Sequence, residues 1–94
     1  MGEEKKYQVT YHRLVAGEVT SLDALWRERV RSAIEGKLTT LPEVYGKPLR
    51  NSLAGYRTLR VGDYRIVFEI KKKAVHIIAI QHRREGYIGV EKRR

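Results

Sequence analysis

Six residues in the C-terminal half of this chain have the chemistry to act on a phosphate: Arg57, Arg60, Arg65, His82, Arg83 and Tyr87. Arginine keeps its proton at any physiological pH and presents a planar fork of donors that suits two phosphate oxygens at once. Histidine titrates near neutrality and can move a proton. Tyrosine offers a phenol donor or a ring on which a base can stack. Their placement follows from one turn. Gly62-Asp63 is a two-residue hairpin signal with glycine first, set between strand-like runs at 55–61 and 64–71. A tight turn there puts Val61 opposite Tyr64, Arg60 opposite Arg65 and Leu59 opposite Ile66. The face carrying Leu59, Val61, Tyr64, Ile66 and Phe68 is apolar, so Arg60 and Arg65 stand side by side on the other face. Like charges in that relation cost some tenths of a kcal/mol up to about 1, which an anion held between them offsets. Neutralisation by Glu69 or Asp63 would instead make the pair structural. Arg57 falls on the apolar side, opposite Phe68. It needs a bulge to turn it outward, or a stem laid over apolar surface with its head in water.

The elements that position these residues read as a short α+β domain. Tyr7, Val9 and Tyr11 alternate with Gln8, Thr10 and His12, which predicts a first strand over 5–12. A weak helical pattern covers 13–22 and contains Gly17. Asp23 is a candidate N-cap for a second helix, whose stripe of Leu25, Trp26, Val30, Ala33, Ile34, Leu38 and Leu41 Pro42 should end at or just before Leu41. A Gly- and Pro-containing loop follows from 44 to 53. The third C-terminal strand, 74–82, joins the second through Lys72-Lys73, which lacks glycine and predicts a looser turn. The expected fold is β-α-α-β-β-β: a mostly antiparallel four-stranded sheet with two N-terminal helices packed on one face.

The chain has 94 residues with 20 Lys+Arg and 11 Asp+Glu, a formal net charge of +9, and a single domain over 1–94 is expected at this length. Residues 1–40 carry +1 and residues 41–94 carry +8, so the excess lies with the C-terminal strands. An asymmetric basic charge points to an anionic partner on one face. The Lys71-Lys72-Lys73 run and the Lys92-Arg93-Arg94 tail read as solvated surface. Cysteine is absent, which excludes disulfides, thiolate catalysis and cysteine-built zinc sites. His12 and His76 show no metal spacing, and neither a metal nor a cofactor is expected. The longest apolar run, 77–80, is far short of the roughly 20 residues that span a bilayer. The N-terminus lacks a signal-peptide core. A cytoplasmic protein without membrane partners is expected.

The stretch 45–49 (Tyr-Gly-Lys-Pro-Leu), then 53–68 from Leu53 through Gly62-Asp63 to Phe68, and finally 82–87 (His-Arg-Arg-Glu-Gly-Tyr) resembles the RelE/ParE superfamily of bacterial and archaeal toxins. The resemblance covers about residues 5 to 89 and implies a RelE-like fold. It further implies a metal-independent endoribonuclease that cleaves mRNA in the ribosomal A site by attack of the 2′-hydroxyl on the adjacent phosphate. By family position, Arg65 is the phosphate-stabilising arginine, Arg83 the arginine on the last strand, and Tyr87 the tyrosine that orients the nucleophile. Arg60 and Arg57 lie where relatives carry basic residues, and Arg57, Lys47, Arg50 and Arg84 are the expected RNA-binding set. The chain departs from RelE in offering Thr58 or Leu59 where a second strand lysine serves as general base. His82 or Glu85 could supply that function. The implied partners are the ribosome, its mRNA and a cognate acidic antitoxin, with operator DNA bound only through the antitoxin. The alternatives are a ParE-like inhibitor of DNA gyrase on the same fold, or an inactive relative that only binds its antitoxin or RNA.

Overall fold

The computed structural model describes residues 6–93. Strand β1 (Gln8–Tyr11) leads into α1 (Val15–Thr20) and α2 (Ala24–Ala33), which continues as a π-helical turn over Ile34–Leu38. Then come the short α3 (Pro42–Tyr45), β2 (Lys47–Pro48), β3 (Arg57–Val61), β4 (Tyr64–Lys71) and β5 (Ala74–His82). Single 3₁₀ turns occupy Asn51–Leu53, Arg83–Glu85 and Val90–Arg93. One sheet runs β1-β5-β4-β3-β2. β1 lies parallel to β5, and every other pair is antiparallel.

The α+β class and the order of the main elements are as expected, with three differences of detail. The sheet has five strands and not four, because Lys47 and Pro48 pair with Thr58 and Arg57. Two residues ending in proline carry no alternation, and proline is tolerated here because β2 is an edge. The second helix already ends at Leu38, short of the expected end near Leu41. The Thr39 and Thr40 hydroxyls donate to the Glu35 and Gly36 carbonyls and close the last turn. Pro42 opens α3 at its first turn, where a missing N–H costs nothing. Finally, Lys72-Lys73 forms a tight two-residue turn between paired Lys71 and Ala74, with Lys72 at φ +56°.

Asp23 caps α2 as its position suggests, its Oδ1 accepting from the Trp26 N–H at 3.0 Å. The helices lie on the sheet face that carries Leu59, Ile66, Phe68, Val75, Ile77 and Ile80, and Phe68 is fully buried there. Gly62 sits at φ +60°, and the Trp26 ring fills the space a Cβ would take. The hairpin tip is thus pinned to α2 by a contact that only glycine allows.

The opposite face is not bare. β5 carries one extra residue between its pairings to Val67 and Phe68, so Ile78 and Ala79 both join a second core. Leu53, Tyr56, Val67 and Val90 complete it, with Leu49 and Tyr87 packed against them. The chain after β5 therefore folds back across the sheet. That return carries Tyr87 to the arginine face.

Candidate functional site

Arg60 and Arg65 are cross-strand partners, in the register the Gly62-Asp63 turn implies. Neither is neutralised by the carboxylates that could have made the pair structural. Glu69 Oε1 binds Lys71 Nζ at 3.1 Å, and Asp63 Oδ1 lies 3.7 Å from Arg83 Nε. Among the described residues, no carboxylate forms an ion pair with Arg60 or Arg65. Two adjacent guanidiniums without a carboxylate have the donors to hold an anion between them.

Arg65 is half-buried, and its guanidinium carbon lies 5.0 Å from the centroid of the Tyr87 ring. Such a stack is worth about 0.5–2 kcal/mol and holds the guanidinium plane. Tyr87 reaches it from an unusual backbone conformation, φ +66°, between Gly86 at +60° and Gly89 at +79°. A left-handed tyrosine costs about 1–2 kcal/mol, so tertiary contacts must hold it there. On its other side Arg65 pairs with Gln81 of β5, which is buried at 4% exposure. Gln81 Nε2 donates to the Ile88 carbonyl at 3.1 Å, while its Oε1 is buried without a partner among the described residues. An orphaned buried acceptor costs about 1–3 kcal/mol. Sequence reasoning passed over Gln81, which shares the arginine face because the bulge at Ile78 shifts the alternation of β5.

Lys47 stands across from Thr58, whose neighbours Leu59 and Arg57 point to the helices, so Lys47 shares the face of Arg60 and Arg65. Arg50 is exposed in the loop just beyond. Arg83 lies at the end of β5. Its N–H donates to the Asp63 carbonyl at 2.7 Å, and its side chain reaches toward the carboxylate of the same residue. Arg83 is therefore held at the hairpin tip, against Asp63.

The remaining candidates lie elsewhere. Arg57 keeps its place opposite Phe68, half-buried and with no bulge. Its Nη1 donates to the Gly46 carbonyl at 3.0 Å and the Glu43 carbonyl at 3.3 Å, clasping the end of α3. His82 pairs with Tyr64 on the helix face, their rings edge to face at 5.3 Å. Its Nδ1 accepts from the Arg84 N–H at 3.2 Å, while Glu85 Oε1 accepts from the His82 N–H at 3.2 Å. This capping box fixes Nδ1 as an acceptor and leaves the proton on Nε2. His82, Arg84 and Glu85 line a cleft with Glu18 and Tyr64, across the sheet from Arg65.

A family model of the ParE toxin of type II toxin–antitoxin systems matches residues 9–87. The chain belongs to this toxin family. The toxin is 33% identical over 89 residues to the Toxin RelE of Mycobacterium tuberculosis, covering 93% of this chain and 92% of that one. In structure it is similar to the RelBE2 toxin–antitoxin complex from the same organism, with a TM-score of 0.78 and 30% identity over 83% of this chain and 99% of the other. Escherichia coli YafQ shares the fold, with a TM-score of 0.62 at 18% identity over 86% and 98% of the two chains. Together these relatives set the toxin within the RelE/ParE superfamily that its sequence resembles.

Proposed function

We propose that the toxin is a metal-independent, ribosome-dependent mRNA endoribonuclease. One observation carries this reading: Arg60 and Arg65 are side by side without a carboxylate partner, and Tyr87 is seated on Arg65. In the reaction the ribose 2′-oxygen bonds to the adjacent phosphorus, its proton passes to a base, and the 5′-oxygen leaves with a proton. Negative charge builds on the non-bridging phosphoryl oxygens, and two fixed guanidiniums stabilise it without reorganising. Arg83 adds positive charge at the hairpin end, and Tyr87 orients the ribose or stacks a base. Unlike Arg60 and Arg65, Lys47 on the same face can exist without its proton, and in that form it suits the role of proton acceptor. His82 is poorly suited, because it faces the helices and its Nδ1 is committed to the Arg84 N–H. Arg50 and Lys47 extend the positive track along the RNA.

The partner that restrains the toxin is a cognate antitoxin, as in the RelB–RelE complexes of Pyrococcus horikoshii and Methanococcus jannaschii. An apolar groove of about 600 Å³ between β1, α1 and α2 suits an amphipathic acidic segment, with Val15, Val19, Val30 and Ile34 on its walls and Arg13 and Arg27 beside it. Operator DNA is reached only through that antitoxin.

A second reading, a ParE-like inhibitor of DNA gyrase, draws on the ParE description of the matching family. Inducing the toxin while following translation and replication separately distinguishes the two. Rapid mRNA loss with new 5′ ends inside codons supports the nuclease. An SOS response with intact mRNA overturns it.

A further inference from the structure

We propose that Gln81 is a positioning residue that holds Tyr87 over Arg65; its consequence for catalysis rests on the nuclease reading above. Gln81 and Arg65 are directly paired and share a sheet face. The Gln81 amide ties the residue next to Tyr87 to the sheet, through its 3.1 Å bond to the Ile88 carbonyl. The Ile88 side chain cannot do this, being 78% exposed. The Ile88 N–H to Glu85 and Val90 N–H to Tyr87 carbonyl bonds are local to the segment, and its other anchors, buried Val90 and the Arg93 bond to the Ile78 carbonyl, lie beyond Ile88. Gly86 and Gly89 adopt positive φ freely, but Tyr87 does not, so its own preference does not select this conformation.

The orphaned Gln81 Oε1 sharpens the argument. A methionine would fill similar space without burying an unpaired acceptor. What methionine lacks is the N–H that reaches Ile88. Without that bond the Tyr87 ring loses its fixed place above the Arg65 guanidinium. RNA binding, driven by the arginines' charge, persists, while the geometry of attack degrades.

The test uses the full chain and two variants that remove the donor, Gln81→Met and the near-isosteric Gln81→Glu. In the native toxin, ring current from Tyr87 should displace the Arg65 side-chain proton resonances, with Tyr87→Leu as the reference. The Gln81 amide protons should exchange slowly with solvent. Both variants should lose the displacement, and in Gln81→Met, which adds no charge beside Arg65, single-turnover cleavage of ribosome-bound mRNA should fall roughly 10- to 100-fold with RNA affinity unchanged. A displacement retained in either folded variant overturns the proposal, as does a lost displacement with an unchanged cleavage rate. Free exchange of the Gln81 amide in the native chain overturns it even if neither variant folds. If the native toxin cleaves nothing, the nuclease reading fails, while the resonance and exchange measurements still decide whether Gln81 holds Tyr87.

Discussion

Arg93 Nη2 lies 2.7 Å from Glu18 Oε2, joining the last 3₁₀ turn to α1 across the edge of β5. Strand β1 covers that edge only as far as Ile77. Beyond it, Glu18 Oε1 accepts from the Ile80 N–H at 2.9 Å and Arg93 Nη1 donates to the Ile78 carbonyl at 3.0 Å. An ion pair thus takes the place of a neighbouring strand. The two side chains are only 15% and 21% exposed, so removing one leaves a largely buried charge uncompensated. Glu18→Ala should lower unfolding free energy by about 2–4 kcal/mol. Urea titration checks this as a lower midpoint with an unchanged slope.

The same corner gives stability a pH dependence. The His12 pKa is lowered, first by burial and then by Arg93, Arg13 and His76, with Glu18 opposing. Its neutral ring accepts from the Leu14 N–H at 3.1 Å. The folded state thus favours the neutral ring. The stabilisation is complete above about pH 6.5, the unfolded value, and is lost as pH falls through the folded value. Melting temperatures between about pH 7.5 and about pH 5 should decline, and His12→Asn should flatten that slope. An equal decline in the variant would count against His12.

Arg65→Ala removes the guanidinium at the centre of the arginine row and its stack on Tyr87. Cleavage should fall about 100- to 1000-fold, the loss typical of one oxyanion-stabilising donor. Stability should change by no more than about 1–2 kcal/mol, since only a ring contact is lost. Single-turnover rates and urea midpoints on the same preparation separate the two effects.

Lys47→Arg keeps the positive charge across from Thr58 but removes a side chain able to give up its proton. If Lys47 accepts the 2′-hydroxyl proton, the rate should fall roughly 100-fold or more while RNA affinity holds. A native rate in the arginine variant assigns Lys47 to binding alone.

Gly62→Ala places a methyl group against the Trp26 ring at a residue held at φ +60°. The backbone cost and the overpacking together should destabilise the fold by about 2–4 kcal/mol. Trp26 is the chain's single tryptophan, so its fluorescence reports the displaced hairpin directly.

How much of this was legible beforehand depended on how local the cause was. The Arg60–Arg65 pairing was readable because a two-residue turn and period-two alternation dictate register within a few residues. The Asp23 cap was readable for the same reason. Arg57 could be set on the apolar face, but its clasp on Gly46 and Glu43 depends on where α3 ends, and a four-residue helix leaves almost no periodic signal. His82 looked like a proton carrier by residue type. Its face depends on pairing with Tyr64, and its tautomer on the capping box from His82 to Glu85. The second core was hidden because a bulge in β5 turns Ile78 and Ala79 to the same side, against the alternation that sequence reasoning relies on.

The parallel pairing of β1 with β5 has a consequence for synthesis. β1 comprises residues 8–11 and its partner residues are 74–77, so the first strand made waits for the last before its edge can bond. The Glu18–Arg93 clasp closes later still, over a separation of 75 residues. Contacts this distant form slowly and late. Tyr87 takes its seat on Arg65 only after β5 has joined the sheet, so a nascent toxin passes through translation with its arginine face unassembled.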